Sequence, residues 1–305
     1  MQVHTHIDQL PVFRNAVVTI GTFDGVHTGH QQIIAQLKEE AHAIGGETVI
    51  ITFHPHPRKI VTHTAVFILS TLKEKIELLR QKGVDHLVVV PFDERFANQS
   101  AQEYVEHFLF EKFHPHTVII GYDHRFGHGR QGDYHLLEDF GKSLGFLVKE
   151  IPEHVLNNIT VSSTKIREAL LNSDVETANN YLGYDYFFEG IVIEGNKLGR
   201  TLGYPTANLQ IEIPEKLIPG NGVYAVIASV NHSTYKAMMN IGFRPTVDGK
   251  KRMIEVNLFD FNQDLYGKAL RVYIKKYLRG EVKFNGLEEL KNQLAIDKES
   301  ALRVL

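Results

Sequence analysis

Residues 16–30 read Ala-Val-Val-Thr-Ile-Gly-Thr-Phe-Asp-Gly-Val-His-Thr-Gly-His. The apolar, β-branched run Ala16–Ile20 has the pattern of a buried strand. It enters a turn with glycines at 21, 25 and 29, and a helical pattern begins at once. Ile33, Ile34, Leu37, Ala41 and Ile44 share one face, and Gly45-Gly46 stops the helix. A strand that feeds a helix through a glycine turn presents backbone N–H groups to a phosphate. His27 and His30 sit where that phosphate would lie.

The pattern repeats through the first half of the chain. Strands are expected at Thr48–Phe53, Leu87–Val90, Thr117–Ile120 and Phe146–Lys149, and helices at Leu72–Gln81, Ala101–Glu111, Tyr134–Leu144 and Thr164–Leu171. Ser100 with Glu103 makes a capping box for the second helix. Alternating βα units predict a parallel, doubly wound sheet, whose ligands bind beyond the carboxyl ends of the strands. The segments Gly21–His30, Phe53–Pro57 and Gly121–Gly132 should therefore converge on one site.

After about Gly183 the period changes. Phe187–Glu194, Gly222–Val230, Tyr235–Ile241, Ile254–Phe259 and Leu270–Leu278 read as consecutive short strands, which predicts an antiparallel barrel or sandwich. Val223, Ala225 and Ile227, and Leu270, Val272 and Ile274, are expected to face inward. A helix over Gly286–Ala295 aligns Leu287, Leu290 and Leu294 and should cover one end or face. The expected domains are 1–182 and 183–305.

Bulk properties exclude several classes. The formal net charge of −3 gives no electrostatic case for bulk nucleic-acid binding. The chain contains no cysteine, which excludes disulfides, thiolate zinc sites and a cysteine nucleophile. No run approaches the ~20 apolar residues of a membrane span. The first residues lack the basic region and apolar stretch of a signal peptide. A cytoplasmic protein is expected.

The glycine turn is not a Walker A loop, since no Gly-Lys-Ser/Thr opens the helix, and it lacks the dinucleotide fingerprint spacing. It offers His-x-x-His at a helix N-terminus, where an imidazole can stabilise charge building on phosphorus. Capping and packing are the plainer roles for any one histidine, but here the strand and glycine spacing favour the phosphate. Zinc would need further ligands that the sequence does not supply nearby. In Ser162-Ser163-Thr164-Lys165-Ile166-Arg167, hydroxyls at a helix start plus an arginine one turn in make either an anion site or a cap with a surface arginine. In Gly199-Arg200-Thr201-Leu202-Gly203-Tyr204-Pro205-Thr206-Ala207-Asn208, the glycines permit a tight loop. Thr206 and Asn208, two apart, put two hard oxygens on one face, which suits a partial Mg²⁺ site or a structural hairpin.

Gly21-Thr22-Phe23-Asp24-Gly25-Val26-His27-Thr28-Gly29-His30 resembles the signature of the HxGH nucleotidyltransferases, specifically the prokaryotic FAD synthetase domain. Thr52–Pro57, with His56, resembles its Phe-x-Pro-His-Pro element, and Gly121–Gly132, with Asp123 and Arg130, its flavin-proximal loop. His124 departs from that pattern, which has an aromatic or other apolar residue there. Val161–Arg167 resembles its Ser-Ser-Thr-x-Ile-Arg element. The resemblance implies that His27 and His30 stabilise adenylyl transfer, with Gly21, Thr22, Phe23, Asp24, Gly25 and His56 around the nucleotide. It implies that Ser162, Ser163, Thr164 and Arg167 hold the triphosphate.

The second half resembles the riboflavin kinases in Gly199–Asn208, Gly222-Val223-Tyr224, Asn240–Thr246, Glu255–Phe261, Asp264–Gly267 and Arg279–Phe284. That resemblance implies a β-barrel with a C-terminal helix and Glu255 as general base on the flavin's ribityl hydroxyl. It also implies Mg²⁺–ATP at Thr206 and Asn208, with Gly199, Arg200, Gly203, Pro205, Arg244 and Tyr266 as further ligand contacts. Together the two imply an enzyme of the bifunctional riboflavin kinase/FAD synthetase type, with riboflavin, FMN, FAD and ATP as substrates and products. Its partners are then small molecules, with no nucleic acid and no membrane, and a weak or transient homo-oligomer is the only protein partner expected. A nucleotidyltransferase for another phosphorylated substrate would have no need of Gly199–Asn208 or Glu255–Gly267. A flavin-binding regulator with decayed sites would not be expected to keep His27, His30, Arg167, Thr206, Asn208 and Glu255.

Overall fold

The computed structural model describes residues 1–62, 65–122, 124–151, 161–195, 198–246 and 249–305, with the backbone alone for 198, 244–246 and 249–251. The chain forms two compact units, Met1–Ser163 and Thr164–Leu305.

The first unit is a six-stranded parallel sheet. Its strands are β1 (Gln2–His4), β2 (Val17–Ile20), β3 (Thr48–His54), β4 (His86–Pro91), β5 (Thr117–Gly121) and β6 (Leu147–Ile151), in the order β1-β4-β3-β2-β5-β6. All four residues of β2 are buried, as a central strand covered on both faces requires. From β2 the strand order runs outward through β3 and β4 on one side and through β5 and β6 on the other. The reversal therefore lies between β2 and β5. The crevice that such a reversal opens beyond the carboxyl ends is where doubly wound sheets bind ligands. The glycine turn leaves β2 at that point, flanked by the segments leaving β3 and β5.

Helices Thr28–Ala43, Leu72–Gln81 and Tyr134–Leu144 fall where periodicity predicts them. The expected helix over 101–111 runs on to Phe113, and its middle, Tyr104–Phe110, is π-helical. The edge strand β1 was not anticipated; three residues are too few for a periodic signal.

The second unit is a closed antiparallel barrel, which leaves no sheet edge exposed. It is built from β7 (Phe187–Ile193), β8 (Ala207–Gln210), β9 (Gly222–Val230), β10 (Ser233–Thr246), β11 (Gly249–Leu258) and β12 (Ala269–Arg279). The order around it is β10-β11-β8-β7-β12-β9. Helices Ser163–Leu171 and Val175–Leu182 precede it in the chain. The C-terminal helix, Leu287–Val304, is nine residues longer at its end than its leucine stripe suggests, and it buries Asp297 and Ala301.

One inward assignment is corrected. Leu270, Val272 and Ile274 are fully buried, as expected, but Ile227 is only half-buried. Val226 and Ala228, paired with Ile274 and Val272, are the buried residues of β9 there. Ala225 packs in a cluster with Ala301 of the C-terminal helix. With neighbours on both faces, alternation does not tell inside from outside. Register shifts on β12 between Ile274 and Lys276 and between Tyr277 and Arg279 further alter the pairing.

Candidate functional sites

The turn after β2 is held from below. The Asp24 carboxylate, 2 % exposed, accepts the backbone N–H groups of Leu69 at 2.9 Å and Ser70 at 3.0 Å. Ser70 Oγ in turn accepts from Gly25 N at 2.9 Å, and Gly21 N donates to Ile51 O at 3.0 Å. The two glycine N–H groups thus bond within the protein rather than facing a phosphate. What glycine supplies at 25 is conformation, with φ +80°. Phe23 and Val26, both buried, also have positive φ, at 47° and 39°. For a β-branched valine this is a strained backbone, held by the packing around it.

His27 is the N-cap of helix Thr28–Ala43, its Nδ1 accepting from His30 N at 3.4 Å. That bond places the His27 proton on Nε2. The two imidazoles stack with centroids 3.7 Å apart, and Phe23 packs against His30 at 4.8 Å. Gly29 makes the stack fit: a Cβ there would stand 3.2 Å from the His27 ring. Burial, with His27 and Lys75 adding to it, holds the His30 imidazole well below the ordinary histidine range, so it is neutral at neutral pH. Sequence reading missed Lys75. Its Nζ donates to Thr22 O at 2.6 Å and to Thr52 Oγ1 at 3.2 Å, on a residue 7 % exposed.

The other expected residues of this unit lie as follows. His56 caps the short helix Pro57–Val61, its Nδ1 accepting from Arg58 N at 3.2 Å. Ser163 Oγ donates to Asp24 O at 3.1 Å, which ties the Ser-Ser-Thr element to the glycine turn. Arg130 is exposed, with φ 60°. His124 lies near Phe126, with ring centroids 6.0 Å apart. Asp123 lies outside the described residues. Thr164 and Arg167 belong to helix Ser163–Leu171.

In the barrel, the strand register builds the second site. Asn208 of β8 stands directly opposite Glu255 of β11, and Glu255 opposite Asn240 of β10. Side chains directly opposite share a face, so one carboxylate sits between two amides. Glu255, Asn240 and Thr206 line a cavity of about 480 Å³. Its remaining wall is apolar in part, from Phe243, Val282 and Phe284 and from Leu290 and Leu294 of the C-terminal helix. Asn257, two residues from Glu255, holds the loop before β8 through Nδ2 to Pro205 O at 2.6 Å.

Asn208 is 4 % exposed, and its buried Oδ1 accepts no hydrogen bond among the described residues. A buried carbonyl oxygen without a donor suits a hard cation, and Thr206 supplies a second oxygen on the same face. Gly195 has no room for a Cβ, which would collide with the Asn208 amide. The loop Gly199–Tyr204 closes through Tyr204 N to Gly199 O at 2.8 Å, and Gly203 turns it at φ +84°. Arg200 and Pro205 are exposed. Tyr266, 39 % exposed, donates its N–H to Asp264 at 3.0 Å. The Arg244 side chain lies outside what the structure describes. Arg279, which opens the Arg279–Phe284 motif, and Asp297, which sequence reading did not name, also line the cavity. They form a bidentate pair at 2.8 and 2.6 Å that joins the barrel to the C-terminal helix.

Residues 10–165 match the FAD synthetase family model and residues 182–305 the riboflavin kinase model. The chain is 40 % identical to a bifunctional riboflavin kinase/FMN adenylyltransferase of Bacillus subtilis, over 94 % of this chain and 92 % of that one. This chain belongs to that family. It is also 38 % identical to the Haemophilus influenzae member (95 % and 94 % covered) and 37 % to the Escherichia coli K12 member (93 % and 91 %). A crystal structure described as a macrolide-efflux protein from Streptococcus pneumoniae superimposes with a TM-score of 0.87 at 29 % identity, over 98 % of both chains. Among the described residues, no helix here is long and apolar enough to cross a membrane.

Proposed function

We propose that the chain makes FMN from riboflavin in its barrel and FAD from FMN at its glycine turn, each step consuming ATP. The observation that carries this is the succession of two independent family matches along one chain, one over residues 10–165 and one over residues 182–305. The domains proposed are 1–182 for adenylyl transfer and 183–305 for the kinase.

In the kinase step Glu255 takes the proton of the ribityl 5′-hydroxyl as its oxygen attacks the γ-phosphorus, and ADP leaves. The register places that carboxylate between Asn208 and Asn240, at the cavity that would receive the flavin. Thr206 and the unpartnered Oδ1 of Asn208 would hold Mg²⁺ together with phosphate oxygens. The ion supplies charge neutralisation at the transferring phosphoryl group. The apolar wall of the cavity suits a flat ring system and excludes water.

In the adenylyl step a phosphate oxygen of FMN attacks the α-phosphorus of a second ATP, and pyrophosphate leaves. His27 and His30 donate hydrogen bonds to the oxygens on which charge accumulates. A neutral His30 binds the growing charge without first having to lose or gain a proton. Ser162, Ser163, Thr164 and Arg167 serve the triphosphate by resemblance to the family element. The absence of cysteine suits a reducing, cytoplasmic setting.

Incubating the protein with riboflavin, ATP and Mg²⁺ and resolving the flavins tests both steps. Glu255→Gln should abolish FMN formation while leaving adenylylation of supplied FMN. His27→Ala with His30→Ala should let FMN accumulate without FAD. No product of either kind from the wild type would sink the reading, and loss of both activities in Glu255→Gln would refute separate sites.

A further inference from the structure

A buried lysine beneath a glycine turn is a costly arrangement, because an ammonium is strongly hydrated in the unfolded chain. Lys75 lies on helix Leu72–Gln81, immediately after the capping box formed by Thr71 and Glu74. Glu74 turns back to Thr71 N at 2.8 Å, and the carboxylate that acts on Lys75 is Asp24. Lys75 Nζ reaches instead into the turn. It donates to Thr22 O at 2.6 Å and to Thr52 Oγ1 at 3.2 Å, and Thr52 Oγ1 donates to the same Thr22 O at 3.0 Å. The three groups close a triangle around one carbonyl, two residues before Asp24 and five before His27.

We propose that Lys75 is a positioning residue for adenylyl transfer: its ammonium pins the Thr22 carbonyl, fixing the turn that delivers His27 and His30, and sets a positive charge beside the imidazole pair. The inference rests on adenylyl transfer being the chemistry of this turn. Two helices, the turn and the end of β3 meet here, and the titratable group of β3 is its last residue, His54. From helix Thr28–Ala43 the titratable groups are His27 and His30, from helix Leu72–Gln81 they are Lys75 and Glu74, and from the turn Asp24. Asp24 keeps its negative charge and acts on Lys75, while the charge that presses on His30 from outside its own helix is that of Lys75. A positive charge disfavours imidazolium and favours charge accumulating on a phosphoryl oxygen, two effects of one sign for this reaction.

The test uses the full chain, Lys75→Met and Lys75→Gln, with FAD formation from supplied FMN followed across pH. Thermal unfolding of each variant reports whether the unit carrying Lys75 is folded, and FMN formation in the barrel is the control for the other unit. Lys75→Met removes both the hydrogen bond and the charge, and should lower kcat for adenylylation by about 10- to 100-fold, as loss of geometry at a transfer site does. Lys75→Gln can still donate to Thr22 O but carries no charge. It should recover most of kcat while keeping the second effect, an acid limb moved to higher pH. Titration of the His30 ring by NMR in the same variants should show its pKa raised, although burial keeps it below the ordinary value. If Lys75→Met does not fold, Lys75→Gln alone decides through the acid limb. Wild-type rates with an unmoved acid limb in the variants would overturn the proposal. A wild type that makes no FAD from FMN would instead overturn the adenylyl-transfer reading on which it rests.

Discussion

Replacing Gly29 by alanine separates the stability of the glycine turn from its chemistry. Gly29 is in the first turn of helix Thr28–Ala43 and has no positive φ, so its backbone accepts alanine. The added methyl would stand 3.2 Å from Cε1 and Nδ1 of His27. Carbon atoms settle at about 3.5–4.0 Å, so the ring must yield by roughly 0.3 Å or more. It can yield only by loosening the cap bond to His30 N, already 3.4 Å, or the stack on His30 at 3.7 Å. Losing the cap would cost about 1 kcal/mol. Alanine for glycine in a helix returns up to about 1 kcal/mol. The two nearly offset, and Tm should move by no more than about 4 °C. The rate has no such compensation. A displacement of 1 Å at a transfer site costs about 100-fold, so a few tenths should lower kcat for FAD formation by about five- to tenfold. The assay is FAD formation from supplied FMN, beside FMN formation from riboflavin, which should be unchanged. Gly29→Ala with wild-type adenylylation would show that the His27–His30 stack is incidental. A fall in Tm of 10 °C or more would show that the glycine serves folding.

Asp297→Ala should destabilise the barrel unit by about 3 kcal/mol, read by denaturant titration, because it leaves Arg279 beside a cavity without its bidentate partner and frees Gln293. The KM for riboflavin should rise with it, since Leu290 and Leu294 on the same helix line the cavity, and an unchanged KM would detach the helix from substrate binding. Burial lowers the Lys75 pKa from 10.5 to about 8, with Asp24 opposing. Between those two values the unfolded chain holds the extra proton, so stability rises with pH through this window. The penalty is present in full below about pH 8, amounts to about 3 kcal/mol, and is relieved as pH approaches 10.5. Comparing wild type with Lys75→Met from pH 7 to 10 cancels the other groups. The wild type should gain stability relative to the variant, and parallel curves would contradict the burial of a charged Lys75.

The parallel sheet was legible because its strands are long apolar runs separated by helices of clear period, and the barrel because its strands follow one another without helices. Glu255 and Asn208 could be named from their motifs, but their pairing could not. It depends on the register of β8 against β11, and β8 is only four residues long, too short to show a period. Asn240 and Arg279 sit at the cavity for the same reason, since register rather than residue type brings them there. The inward face of β9 was misjudged at Ile227 because the C-terminal helix buries the opposite side of that strand, so that alternation carries no sign.

The least legible part of the first site is its foundation, and the reason is physical. A helical segment such as Leu-Lys-Glu-Lys-Ile-Glu-Leu-Leu-Arg-Gln reads as an apolar stripe on a charged, solvated face, and statistics place lysine on that face. Lys75 instead enters the interior because the turn after β2 leaves the Thr22 carbonyl pointing where no strand or helix N–H can reach it. The strained backbone at Phe23 and Val26 and the missing donor at Thr22 have one origin: the chain must leave β2 and start a helix within eight residues. Asp24 anchors the turn to the loop before helix Leu72–Gln81, and Lys75 anchors it from the helix itself. The two histidines are therefore held by charges set beneath the turn, and substitutions there should alter adenylyl transfer as surely as substitutions within it.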